Sequence, residues 1–215
     1  MPESSEHITT VACIGVTDAI VPPLIIYSGQ QLQESWFKNR VSGVEQFATV
    51  SNSGWTNEFI HNKWLMDLFD PYTRERARNC ADPRFLFLDG ADTHVRVEFM
   101  EKCLERNIYL IVIPAHMSQR YQPLDVTFFN VLKMKYHEEM TNFMISAQST
   151  IRVNKGMYWA WHQAAWKATV DGRAIRSGWR DSGLWRLSQS IMCPPDLEPP
   201  RTPERQNVQE TISTP

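Results

Sequence analysis

Two apolar runs that bracket a helical pattern constrain this chain more than anything else in it. Arg84–Leu88 (RFLFL) and Ile108–Ile113 (IYLIVI) each read as a strand buried on both faces. Between them, Val95, Phe99, Met100, Cys103 and Leu104 recur at helical spacing. A strand, a helix and a strand within about thirty residues form a βαβ unit, so the two strands should lie parallel with a right-handed crossover. The expected fold class is therefore α/β.

The flanking sequence extends this layout. Ile8–Val16 (ITTVACIGV) is β-branched and reads as a strand. Val21–Tyr27 (VPPLIIY) reads as its partner, with prolines suited to a strand beginning. Residues 29–43 are polar and irregular, and Phe47–Ser51 reads as a short extra strand. Thr56 has the chemistry of a helix N-cap, with Glu58 in the first turn. Phe59, Ile60, Trp64, Leu65, Leu68 and Phe69 then make one helical face that Asp70-Pro71 is expected to stop. Residues 73–82 are charged and read as a surface loop. A long helix should begin near Leu124-Asp125, carrying Phe128, Leu132, Tyr136, Met140 and Phe143, and a further helix should span 157–171. Ser177–Trp185 reads as a turn-rich cap. The expected organisation is a polar leader at 1–7, one domain at 8–190, and a disordered proline-rich tail at 191–215.

Composition narrows the possible functions. Hydrophobic residues make up 42% and charged residues 21% of the 215, a globular balance. The formal net charge of −2 implies no strong phosphate-neutralising surface, which argues against tight DNA binding by this chain alone. Cys13, Cys80, Cys103 and Cys193 are scattered without a CxxC pair, so neither a zinc site nor a disulfide framework is expected, and a reducing compartment fits best. No apolar stretch reaches the ~18–20 residues that span a membrane.

Candidate chemistry falls at the ends of the parallel strands. Asp89 closes the first of them, and Asp125 lies just beyond the carboxyl end of the second. Ligands of open α/β sheets bind outside the carboxyl ends of the strands. Two carboxylates converging there suit a hard divalent cation that takes oxygen ligands and keeps several waters. Plainer roles compete for both: Asp89-Gly90 can be a strand-ending turn, and Asp125 can cap the long helix. His94 and His116 read as loop or packing histidines, Gln122-Pro123 as a turn, and Trp159, Trp161 and Trp166 as core.

Three blocks carry a family resemblance: Leu88-Asp89-Gly90-Ala91-Asp92-Thr93-His94, Ile113-Pro114-Ala115-His116-Met117-Ser118 and Tyr121-Gln122-Pro123-Leu124-Asp125-Val126. They resemble the signature blocks of the DDE superfamily endonuclease domain found in pogo and Tigger transposases, jerky-like proteins and centromere protein B. The 35 residues between Asp89 and Asp125 suit that family's second and third acidic positions. Val21–Tyr27, Ser53–Thr56 with Lys63–Leu65, Phe128–Lys133 with Tyr136, and Ile175–Trp185 resemble further family blocks in the same order.

The resemblance implies a ribonuclease-H-like mixed sheet flanked by helices. It also implies DNA strand cleavage and transfer with Mg²⁺ or Mn²⁺ held by three carboxylates, a nuclear location, DNA as partner and a possible homo-oligomer. It makes Asp89 and Asp125 the catalytic, metal-binding pair. The family's first acid sits on a central first strand, and the first strand legible here matches its second, so that strand is expected to be missing and the chain inactive as it stands. Asp92 is the nearest substitute and would have to turn back toward the cleft. Ala91 and Gln119 stand where histidine is common, and Arg186 where proline is usual. No counterpart of the family's amino-terminal helix-turn-helix domains is expected within this sequence.

Overall fold

The computed structural model describes residues 7–16, 19–90, 96–114, 116–147 and 153–186. Ala91, Asp92, His94, Val95, residues 1–6 of the leader and the tail at 191–215 lie outside them. Five strands occur among the described residues: β1 (Ile8–Ile14), β2 (Ile20–Ser28), β3 (Phe47–Ser51), β4 (Arg84–Asp89) and β5 (Ile108–Ile113). They form two sheets, one ordered β1-β2-β3 and the other β4-β5. β1 runs antiparallel to β2, and β2 parallel to β3. β4 and β5 are parallel, as the βαβ pattern requires, with Asp89 opposite Ile113 at their carboxyl ends. The architecture is mixed α/β.

Both faces of β2 are buried, which explains its unbroken apolar run. Leu24 and Ile26 face a core with Ile60, Trp64, Leu65, Phe99 and Cys103, whereas Ile25 and Tyr27 pack toward Trp159. The sheets thus lie between two helical layers. One contains α1 (Glu58–Trp64), α2 (Asp70–Arg74) and α3 (Val97–Leu104); the other contains α5 (Phe129–Ala147), α6 (Lys155–Thr169) and α7 (Arg173–Asp181), with the short α4 (Ser118–Tyr121) leading into α5. Pro22 and Pro23 fall within β2 rather than at its beginning. They lie opposite the irregularity between Val11 and Cys13, where β1 needs no donor from them.

Several boundaries differ from the sequence expectations for identifiable reasons. The N-cap of α1 is Asn57, whose side chain accepts from the Ile60 amide at 2.9 Å; Thr56 instead hydrogen-bonds His61 at 3.0 Å. Pro71 does not stop the helix. A π turn at Leu65–Phe69 widens the backbone just before it, with the Asp70 amide donating to the Leu65 carbonyl, and the helix continues as α2. The charged stretch at 73–82 therefore begins as helix, and Ser177–Asp181 belongs to α7 rather than to a cap. The β4-β5 strands are also not covered on both faces, because Phe85, Tyr109 and Ile111 stand exposed on one of them.

Two buried polar nodes lock the layers together. Asp70 is 1% exposed and is held by Arg84 at 2.8 Å, by Arg74, and by Arg106 at 3.7 Å. Arg84 also donates to Thr73 at 2.9 Å and to the Arg106 carbonyl at 2.7 Å, tying the start of β4 to α2 and to the turn before β5. Burial alone would raise the Asp70 pKa, but hydrogen bonds from Arg74 and Arg84 override it and hold the carboxyl below its ordinary value. In the other layer, His162 pairs with Gln46 at 2.7 Å and Thr10 at 3.3 Å, and burial pushes its pKa down to about 4.

Asp70→Ala should destabilise the fold by about 3–5 kcal/mol in urea unfolding, since it leaves Arg84 buried without its counter-ion. A loss below about 1 kcal/mol would mean that the node contributes little. His162 takes up its proton in the unfolded chain before the folded one. The stability it carries is thus complete above the ordinary histidine pKa of about 6.5 and is lost as pH falls toward 4, by about 3 kcal/mol in all. His162→Gln should flatten that acid limb, measured as unfolding free energy at pH 7, 5.5 and 4.

Candidate active site

A cavity of about 790 Å³ lies between β1 and β4. Its lining includes Thr9–Val16 from β1 and the following turn, Pro83–Asp89 from β4, and the segment Gln122–Asp125. Every residue of β4 and every residue of β1 after Ile8 takes part, so the cavity abuts their backbone edges rather than a single face of either. Among the described residues, β1 is laddered only to β2, and β4 only to β5.

Asp89 reaches this cavity because it ends β4, and Asp125 because of how the chain leaves β5. α4 turns the backbone, and the Gln122 carbonyl accepts from the amides of Asp125 at 2.9 Å and Val126 at 3.0 Å. A π turn at Leu124–Phe128, whose N-cap is Pro123, then opens into α5. Asp125 therefore lies inside the first turn and does not cap the helix. Gly178 of α7 abuts this segment: a Cβ there would sit 2.5 Å from the Pro123 carbonyl oxygen, so only glycine permits the approach. Trp179 follows it, packing edge-on against Phe87 of β4 and also lining the cavity.

The two carboxylates are electrostatically coupled. Burial raises the Asp125 pKa, the negative charge of Asp89 raises it further, and Lys133 counters both. Asp89 and Asp125 are thus brought to one cleft, as their strand-end positions led us to expect. Among the described residues, no third histidine, cysteine, aspartate or glutamate joins them in a cluster able to hold a metal ion. His116 does not line the cavity and lies in left-handed backbone at φ 64°. His94 and Asp92 are outside the described residues.

Sequence reasoning missed two contributors. Lys133 lies eight residues after Asp125, a spacing of about two helical turns that could have placed it on the same side. Gln122, read only as a turn former, lines the cavity with a buried side-chain oxygen that lacks a hydrogen-bond partner among the described residues.

The donor set fits a hard divalent cation in part. Two carboxylates in a shared cleft, one of them resisting ionisation, are the kind of ligands such an ion takes, and its charge would relieve their repulsion. They supply only part of a full coordination shell, and phosphate oxygens or water would have to supply the rest.

The family profile described as DDE superfamily endonuclease matches residues 5–179. Among relatives, a protein named "MFS-type transporter clz9" from Cochliobolus lunatus is 29% identical over 89% of this chain but only 20% of its own length. Proteins named "Pogo transposable element with KRAB domain" are 21% identical in Homo sapiens and 23% in Mus musculus, covering 89% and 83% of this chain and 32% and 31% of their own. The chain thus spans between a fifth and a third of the relatives it matches. No described helix is long and apolar enough to cross a membrane. No solved structure matches. With its ordered blocks and a profile match over most of its length, the chain belongs to the DDE superfamily endonucleases.

Proposed function

We propose that this chain is the strand-transfer domain of a pogo-like transposase, with Asp89 and Asp125 as its second and third acidic residues. One observation carries the reading: both carboxylates line the same cleft and interact there. The ancestral reaction is metal-dependent cleavage and transfer of DNA strands, in a nuclear setting. A bound Mg²⁺ or Mn²⁺ would supply charge neutralisation and Lewis acidity to phosphodiester chemistry. The residues of the chain would do the rest: Asp89 and Asp125 provide ligand oxygens, Lys133 eases the ionisation of Asp125, and Gly178 with Trp179 braces the turn that carries it.

The chain itself is inactive in this reading. A ribonuclease-H-like sheet has its first strand and first acid at the centre, and this reading takes the cleft lined by β1 and β4, which do not pair with each other among the described residues, as that position. Two carboxylates hold an ion weakly and cannot bridge a pair of them symmetrically. A second reading, a non-catalytic nuclear scaffold that binds DNA or protein, is favoured by the lack of a three-ligand cluster among the described residues.

Incubation with supercoiled DNA and Mg²⁺ or Mn²⁺ should give no nicking above background. Nicking that disappears in both Asp89→Ala and Asp125→Ala would overturn the claim of inactivity and establish an enzyme.

A raised carboxyl pKa means that the folded state holds its proton longer than the unfolded one, so ionised Asp125 lowers stability as pH rises through the folded value. Asp125→Asn should therefore raise the melting temperature at pH 7 while weakening Mn²⁺ binding, read by calorimetry. A variant that loses stability while retaining full Mn²⁺ affinity would argue that Asp125 is a structural residue and not a ligand.

A further inference from the structure

We infer that α7 and the turn after it form a binding site for single-stranded DNA, with arginines on the phosphates and Trp185 stacked on a base. The choice of DNA as ligand class rests on the reading above, but the site needs neither Asp89 nor Asp125. Arg173, Arg176 and Arg180 recur along α7 at the three- and four-residue spacing that puts them on one face, whereas Ala174, Ile175, Gly178 and Trp179 are buried on the other. The three arginines span about 10 Å of helix. With Arg186 they make four exposed arginines within residues 173–186, where Asp181 is the one acidic residue, in a chain whose net charge is −2. Arg180 holds Asp181 at 2.7 Å. The positive charge is therefore local, and the overall balance conceals it.

These arginines, Ser177 and Trp185 line one concavity of about 450 Å³. The chain after α7 folds back to close it: the Trp185 amide donates to the Trp179 carbonyl at 3.1 Å, and Gly183 and Arg186 take left-handed backbone at φ 75° and 58°. Trp185 is 49% exposed there, so an unpaired base can stack on its ring while guanidinium groups take phosphate oxygens. A duplex keeps its bases stacked on each other, and an acidic peptide would use the arginines without the ring. The helix gains nothing from the arrangement. Arg173 stands in the first turn, where the helix dipole disfavours a cation, and Arg176 and Arg180 are like-charge neighbours four residues apart. Val16 and Trp179 line both this concavity and the cleft of Asp89 and Asp125, so one strand can pass from one to the other.

The test titrates the full chain, in EDTA, into fluorescent DNA of about 16 nucleotides, the upper site size of comparable grooves, and follows anisotropy as salt is raised. The single strand should bind at least about tenfold more tightly than its duplex, and an RNA of the same sequence should bind no more tightly than the DNA. Arg173→Gln, Arg176→Gln and Arg186→Gln should each reduce the slope of log affinity against log salt by about 0.7. Trp185→Ala should weaken binding about fivefold or more with the slope unchanged, and Trp185→Phe, which keeps a ring in the turn, should recover most of the loss. No binding up to about 100 μM protein, a duplex bound as tightly as the strand, tighter binding of RNA, slopes unchanged in all three arginine variants, or full affinity in Trp185→Ala would overturn the inference. So would displacement by polyglutamate as readily as by unlabelled strand, which would mark a site for acidic polypeptides. Mn²⁺ held at Asp89 and Asp125 without strand binding would remove this site and leave the metal reading. Full strand affinity in Asp89→Ala and Asp125→Ala, with no Mn²⁺ held by the unaltered chain, would do the reverse.

Discussion

The parallel pairing of β4 with β5 is the constraint on which the arrangement depends. It places Asp89 opposite Ile113, so the chain leaving β5 must turn back beside the end of β4. At the opposite end, Arg84 is clamped to Asp70, which ties the same strand to the helix that covers it. One strand thus carries a buried ion pair at its start and a cleft carboxylate at its finish. The first secures the position of the second.

The cleft works against the local interest of the fold. Asp125 is held where burial and a neighbouring carboxylate both oppose its ionisation, with Lys133 as partial compensation. Gly178 gives up a side chain so that α7 can approach Pro123 and brace the turn. Such concessions are expected where residues are retained for a ligand and not for stability. The edges of β1 and β4 that are unladdered among the described residues lie along the same cleft that receives both acids.

Much of this layout was legible in the sequence, because apolar periodicity reports directly on burial. The β4–α3–β5 unit, the pairing of β1 with β2 and the meeting of Asp89 with Asp125 all follow from patterns that can be marked by hand. The failures have physical causes. Pro71 reads as a helix stop until a π turn is allowed before it, and no local pattern announces a π turn. Phe85 and Tyr109 read as buried because their runs are apolar, yet they are 59% and 46% exposed. Periodicity records what a strand can bury and not what covers it. Lys133 was missed because its influence on Asp125 acts through space across a turn of irregular geometry.

The central claim is that Asp89 and Asp125 face one cation site. Diffraction from crystals soaked in MnCl₂, collected at a wavelength where manganese scatters anomalously, tests it most directly. The account predicts an anomalous peak within about 2–2.5 Å of an oxygen from each carboxylate. A peak bound to only one of them, or manganese held elsewhere while both side chains lie empty, would contradict it.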